Sequence, residues 1–159
     1  MKFEFELHAN LFKYWRPITR YVKEKHQINQ ADLDMLMFLY AEQYFAQKDF
    51  KSFEAAFPWD ISRFRRLMKD GWVHEFRKPK PGKAALYCLT MKGKAVMLHM
   101  FRKLFGEETI SETYRSLPNY NKRNNHAKVI RRGLAKKINE ENRVRRQSLE
   151  SPSEEPPQS

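Results

Sequence analysis

The chain has a single cysteine, Cys88, among 159 residues. One thiol excludes internal disulfides and thiolate zinc clusters, and it fits a reducing compartment. Glycine is also scarce, five in all, and none of the five falls in a phosphate-cradling loop. No apolar run approaches the ~18 residues that a membrane-spanning helix needs. The N-terminal MKFEFELHANLF carries acids inside its only apolar stretch, so no secretory leader is expected. His8, His26, His74, His99 and His126 are scattered singly, without metal-ligand spacing. No Ser-His-Asp set or paired-carboxylate pattern stands out. Catalysis, a metal and a cofactor are therefore not expected, and nothing indicates a small-molecule effector.

Acid is the last deficit. Nineteen Asp and Glu face 31 Lys and Arg, a net charge of +12. Such a balance calls for an anionic partner, either nucleic acid or an anionic membrane. Residues 121–147 hold ten basic residues and two acids, and 148–159 hold three acids and no base. That leaves +7 on residues 1–120, so the apolar-rich part is basic in its own right. Aromatics make up 14% of the chain and suffice for a packed core. The expected organisation is a folded part over 1–120, a basic tail over 121–147 and a disordered Ser/Pro-rich acidic end over 148–159.

Periodicity predicts mostly helices. Residues 9–26 place Leu11, Trp15, Ile18 and Val22 on one face, with Pro17 expected to kink or reset the helix. Residues 3–7 alternate as a short strand would. Asn29 is an N-cap for a helix over 30–47, whose Leu33, Leu36, Met37 and Tyr40 face inward. A short helix is expected near 51–57, then one over 58–70 with Pro58 in its first turn. In that helix Ile61, Phe64, Leu67 and Met68 share the apolar face. Ser62, Arg63, Arg66 and Lys69 lie off it, with Arg65 at the margin. Gly71 ends the helix. Strands over 72–77 and 84–89 flank a Lys/Pro/Gly loop, and Thr90 caps a final helix over 91–105. In the second strand Cys88 is expected to be a buried small hydrophobe.

An arginine-rich helix, a Gly turn, a β-hairpin and a closing helix form the order of a recognition helix followed by a wing. The candidate DNA contacts are Ser62, Arg63, Arg65, Arg66 and Lys69 on the helix, and Arg77, Lys78, Lys80 and Lys83 on the wing. Arg63 and Arg66 are the expected base readers, because an arginine fork fits guanine O6 and N7. Wing lysines neutralise phosphates, which sets affinity and register rather than sequence. Arg131, Arg132, Lys136 and Lys137 lie in the tail, for which three readings stand side by side: a marginal helix interrupted at Gly133 that adds nonspecific phosphate contacts, a protein-docking segment, or a solvated extension. Two bland readings stand beside these: a merely solvated basic face, and wing lysines that guard a sheet edge against aggregation.

Leu67-x-x-x-Gly71-Trp72-Val73 and Lys83-Ala84-x-Leu86-x-x-Leu89-Thr90-x-x-Gly93 resemble the DNA-binding lobe of the MarR family of winged-helix regulators. The resemblance covers roughly residues 9–120. Where that family commonly carries Asp-x-Arg at the wing, this chain has Pro81-Gly82-Lys83, and Lys83 meets phosphate as a point charge rather than a fork. The resemblance implies a mainly α fold with a small β-hairpin wing, a winged helix-turn-helix flanked by dimerisation helices. It further implies a homodimer, through the first helix and the helices after Gly93, on double-stranded DNA. The expected function is sequence-specific DNA binding by a cytoplasmic transcriptional regulator. Two alternatives stay open: a winged helix used for protein contacts in a viral or replication assembly, and a nonspecific architectural binder of nucleic acid.

Overall fold

The computed structural model describes residues 11–57, 59–112 and 125–150. The expected strand over 3–7, Pro58, and residues 113–124 and 151–159 lie outside the described residues. The elements are α1 (Leu11–His26), α2 (Gln30–Glu42), α3 (Gln47–Ser52), α4 (Ile61–Lys69), β1 (Val73–Arg77), β2 (Leu86–Leu89), α5 (Met91–Leu104) and α6 (Asn125–Glu150). The fold is mainly helical with one antiparallel hairpin, as the pattern predicts. The chain forms two compact units. One comprises Arg20–Phe101, and the other joins the chain before Arg20 to the chain after Phe101.

In the Arg20–Phe101 unit, α2 is the central helix. Leu33, Met35, Leu36 and Leu39 are fully buried, whereas Met37 and Tyr40 are only half-buried. The helix starts at a capping box: Asn29 Oδ1 accepts from Asp32 N at 2.8 Å, and Asp32 Oδ2 accepts from Asn29 N at 3.2 Å. It ends earlier than its periodicity suggests, because Gln43 has a φ of +60°. The chain then extends, and Phe45 exchanges two backbone hydrogen bonds with Tyr87, of 3.1 and 2.9 Å. That pairing adds a one-residue third strand beside β2. Next, α3 begins earlier than expected, where Asp49 Oδ2 accepts from Ala46 N at 2.9 Å.

The hairpin pairs Val73 with Leu89, His74 with Cys88, Glu75 with Tyr87 and Arg77 with Leu86. The skipped residue is Phe76, so a β-bulge sits between Glu75 and Arg77. Gly93 explains the end of the Leu-Thr-x-x-Gly motif. A Cβ there would lie 2.8 Å from the Trp72 carbonyl oxygen and 3.3 Å from Leu89 Cβ. Thr90 hooks the same junction: its hydroxyl donates to Gly71 O at 2.8 Å and accepts from Gly93 N at 3.2 Å.

The second unit is built on α6, a single continuous helix of 26 residues. The expected interruption at Gly133 is absent, and the helix runs on to Glu150 in what was expected to be the disordered end. Tertiary packing carries it: Ala135 and Ile138 are buried, and packing rather than propensity stabilises most protein helices. Gly133 meets nothing within 4 Å, so it costs about 1 kcal/mol of propensity without breaking the helix. The segment after α5 is clasped to α6. Asn139 Oδ1 accepts from Ile110 N at 2.8 Å, Asn139 Nδ2 donates to Ile110 O at 2.9 Å, and Arg145 Nη2 donates to Phe105 O at 2.8 Å. Gly106 turns between them at a φ of +77°, where a Cβ would come within 2.8 Å of Asn142. From α1, Lys13 Nζ reaches Glu141 Oε1 at 2.8 Å, and the Tyr14 hydroxyl also donates to Glu141. The Lys13 ammonium and that hydroxyl hold the Glu141 carboxyl below its ordinary value. Helix α1 itself runs through Pro17 as one element.

Candidate nucleic-acid interface

Asp60 sets the start of α4. Its backbone is extended, and its carboxylate accepts from Arg63 N at 2.6 Å. The helix therefore begins at Ile61, three residues later than the spacing predicts. Its end is a Schellman closure: Trp72 N donates to Leu67 O at 2.9 Å and Gly71 N to Met68 O at 3.1 Å, with Gly71 at a φ of +75°. Phe64 and Leu67 are buried, while Ser62, Arg65, Arg66 and Lys69 are exposed.

The arginines do not all point outward. Arg63 Nη1 donates to Asp32 Oδ1 at 2.8 Å and to Asn29 Oδ1 at 3.1 Å. Arg66 Nη2 donates to the same Asp32 oxygen. The Asp32 side chain is only 7% exposed, Arg63 is 18% exposed and Arg66 is 50% exposed. Arg63 is thus committed to the protein, and Arg66 is held at one nitrogen with the rest of its fork in solvent. Arg65, expected at the margin, belongs to the open face, and Arg63 takes the marginal place. The physical reason is Asp32. A carboxylate this buried needs cations and donors around it, and α4 supplies two.

The wing residues divide similarly. Arg77 is half-buried and its Nη2 donates to Ala84 O at 3.2 Å, which braces the hairpin. Lys78, Lys80 and Lys83 are exposed. Lys80 and Lys83 close the loop through two mutual backbone hydrogen bonds of 2.9 Å, with Gly82 at a φ of +73°. Sequence reading missed a neighbouring aromatic pair: Tyr44 is 50% and Phe76 56% exposed, with ring centroids 4.6 Å apart. The bulge turns Phe76 toward Tyr44. The tail residues lie on α6 in the other unit. Arg132, Lys136 and Lys137 are exposed there, and Arg131 is half-buried.

A polar cleft of about 440 Å³ lies behind α4, lined among others by His26, Asn29, Asp32, Arg66, Trp72 and Lys92. Lys92 Nζ stands 4.0 Å over the Trp72 ring, and His26 meets that ring edge-on at 5.8 Å. Burial, with the charges of Lys25 and Lys92, pushes His26 down to about 4. Cys88 is buried, as expected, with Sγ 3.3 Å from His74 Nε2. Among the described residues, no group of three or more His, Cys, Asp or Glu is placed to hold a metal ion. None of their helices is long and apolar enough to cross a membrane.

In comparisons with known proteins, the chain matches no family model, no curated protein and no solved structure. The MarR resemblance therefore rests on the motif residues and the element order alone.

Two predictions follow from the cleft and the clamp. Asp32→Ala strips the partner from two arginines and removes a cap, so unfolding free energy should drop by about 3 kcal/mol. Asp34→Ala on the same helix should cost less than about 1 kcal/mol. Denaturant titration compares them, and equal costs would refute the clamp. For His26, the unfolded chain takes up a proton near pH 6.5 that the fold refuses until about 4. Stability tied to neutral His26 is complete above pH 6.5 and is lost as pH falls toward 4. In His26→Phe this part of the decline should vanish from the pH dependence of the denaturation midpoint. A variant with the wild-type pH profile would contradict the assignment.

Proposed function

We propose that the chain binds double-stranded DNA in a sequence-specific manner and acts in the cytoplasm as a transcriptional regulator of MarR-like, winged-helix type. One observation carries the reading. The open face of α4 holds Ser62, Arg65, Arg66 and Lys69 with no acid between Ile61 and Lys69, and a hairpin bearing Lys78, Lys80 and Lys83 follows directly. A helix of that kind enters the major groove, where base edges carry a distinct donor and acceptor pattern. Arg65 and the free part of the Arg66 fork read bases. The hairpin lysines neutralise phosphates. As a homodimer, the chain addresses a pseudo-palindromic site with half-sites about one helical turn apart.

A second reading draws on the exposed Tyr44–Phe76 pair. Aromatic side chains are enriched where proteins meet proteins, so the same hairpin is also suited to a protein partner.

Selection of duplexes from a random DNA pool separates the two. An enriched motif supports the first reading. On that motif, Arg65→Ala and Arg66→Ala should each cost about 1–3 kcal/mol. Replacing Lys78, Lys80 and Lys83 by Gln should weaken all duplexes alike and flatten the salt dependence by up to about 0.9 per lost contact. Absence of any duplex binding would overturn the proposal and leave the protein-contact reading.

A further inference from the structure

Helix α6 uses one side to fold. Ala135, Ile138 and Asn142 are buried, and Asn139, Glu141 and Arg145 spend their side chains on Ile110, Lys13 and Phe105. Arg132, Lys136, Arg143 and Arg146 flank Asn139 along the edge of that side, and all four are exposed. Their spacings of four, seven and three residues put them on one arc, since each residue turns the helix by about 100°. At about 1.5 Å per residue the row is roughly 21 Å long. Beside it runs a groove of about 650 Å³, bounded by Thr109 and Ser111 and lined from α6 by Lys136, Arg143 and Arg146.

We propose that this arc is a second nucleic-acid surface, one that binds the phosphate backbone without regard to base sequence. Charge and shape favour that occupant. Duplex DNA presents roughly one negative charge per 1.7 Å of axis, so a straight row of four cations meets phosphates along its whole length. The arc carries no large apolar side chain. The exposed Val129, Ile130, Leu134 and Val144 lie outside it, with Lys137 and Glu141 set among them. A helix that lies on a membrane needs a continuous apolar face between its flanking cations, and on α6 Lys137 and Glu141 interrupt the exposed apolar residues. Two acids line the groove beside the row, Glu112 and Glu140, and Glu140 pairs with Arg143 while both stay more than half exposed. Such a pair contributes little and yields to a phosphate. Lys137, exposed on another part of the helix, stands outside the row.

This surface belongs to a different compact unit from α4, so it does not depend on α4 being a base reader. A sequence-independent surface adds phosphate contacts that raise affinity for any duplex. The expected division of labour is discrimination from α4 and sequence-independent affinity from α6.

The test uses the full chain with Arg132, Lys136, Arg143 and Arg146 all replaced by Gln, beside a Lys48→Gln/Lys94→Gln control at exposed lysines off the arc. Binding is measured against a selected duplex, a scrambled duplex, and phosphatidylserine–phosphatidylcholine vesicles, over a salt series. For the arc variant, the slope of log affinity against log salt on scrambled duplex should flatten by about 3–4, with an unchanged ratio of selected to scrambled affinity. The control should keep the wild-type slope, since lysines that touch no phosphate release no counterions. If the quadruple variant fails to fold, Arg132→Gln/Lys136→Gln should give about half the change. A wild-type slope in the arc variant overturns the proposal. So does vesicle binding that the arc variant loses while its duplex slope is kept. An unchanged ratio of selected to scrambled affinity in Arg65→Ala would count against α4 and leave the arc slope untouched, so the two readings fail separately.

Discussion

Asp32 sits at the start of α2 with its carboxylate almost wholly out of water. One oxygen caps its own helix, and the other receives Arg63 and Arg66 from α4. A charge so placed costs several kcal/mol in desolvation unless donors and cations surround it. Those partners must come from a helix more than thirty residues along the chain, so burying Asp32 fixes where α4 sits and how it is rotated about its axis. With Arg63 turned inward, Ser62, Arg65, the free part of Arg66 and Lys69 are left together on the open face. The same carboxylate that anchors the helix thereby selects which of its cations a ligand meets.

The hairpin depends on α4 in turn. The Schellman closure at Gly71 hands Trp72 to β1, and Thr90 bonds back to Gly71 and Trp72 as α5 begins. Gly93 is needed because the Trp72 carbonyl passes so close to it. These contacts seat both ends of the hairpin near the end of α4, and the loop lysines extend from there. In the other unit the logic is different. The segment through Ile110 is held by Asn139, whose amide pairs with both backbone groups of Ile110, and by Arg145 at Phe105 O. On the same helix Arg132, Lys136 and Arg146 stay exposed, and Arg143 pairs with Glu140 at the surface.

Much of this was legible in local sequence, because caps and turns are local chemistry. Asn29 as an N-cap, Gly71 as a helix end, the hairpin after it and Thr90 as the next cap could all be read from neighbouring residues. Distant pairings could not. Helical spacing sets Arg65 at the margin and Arg63 off the apolar face, and only the pairing with Asp32 reverses that order. The expected break at Gly133 failed for a related reason: propensity counts the glycine, but it does not count the burial of Ala135 and Ile138 against the rest of their unit. The pairing of Phe45 with Tyr87 also spans more than forty residues, and a single bridged residue has no period to detect. On the wing, the side-chain duty of Arg77 depends on the register across the hairpin, which its charge alone does not reveal.

The most direct measurement is the change in backbone-amide chemical shifts of the isotope-labelled chain as a selected duplex is titrated in. The account predicts the largest shifts along Ser62–Lys69 and over Lys78–Lys83, with little change at the buried core of α2. Shifts centred on Tyr44 and Phe76, with α4 unmoved, would contradict it.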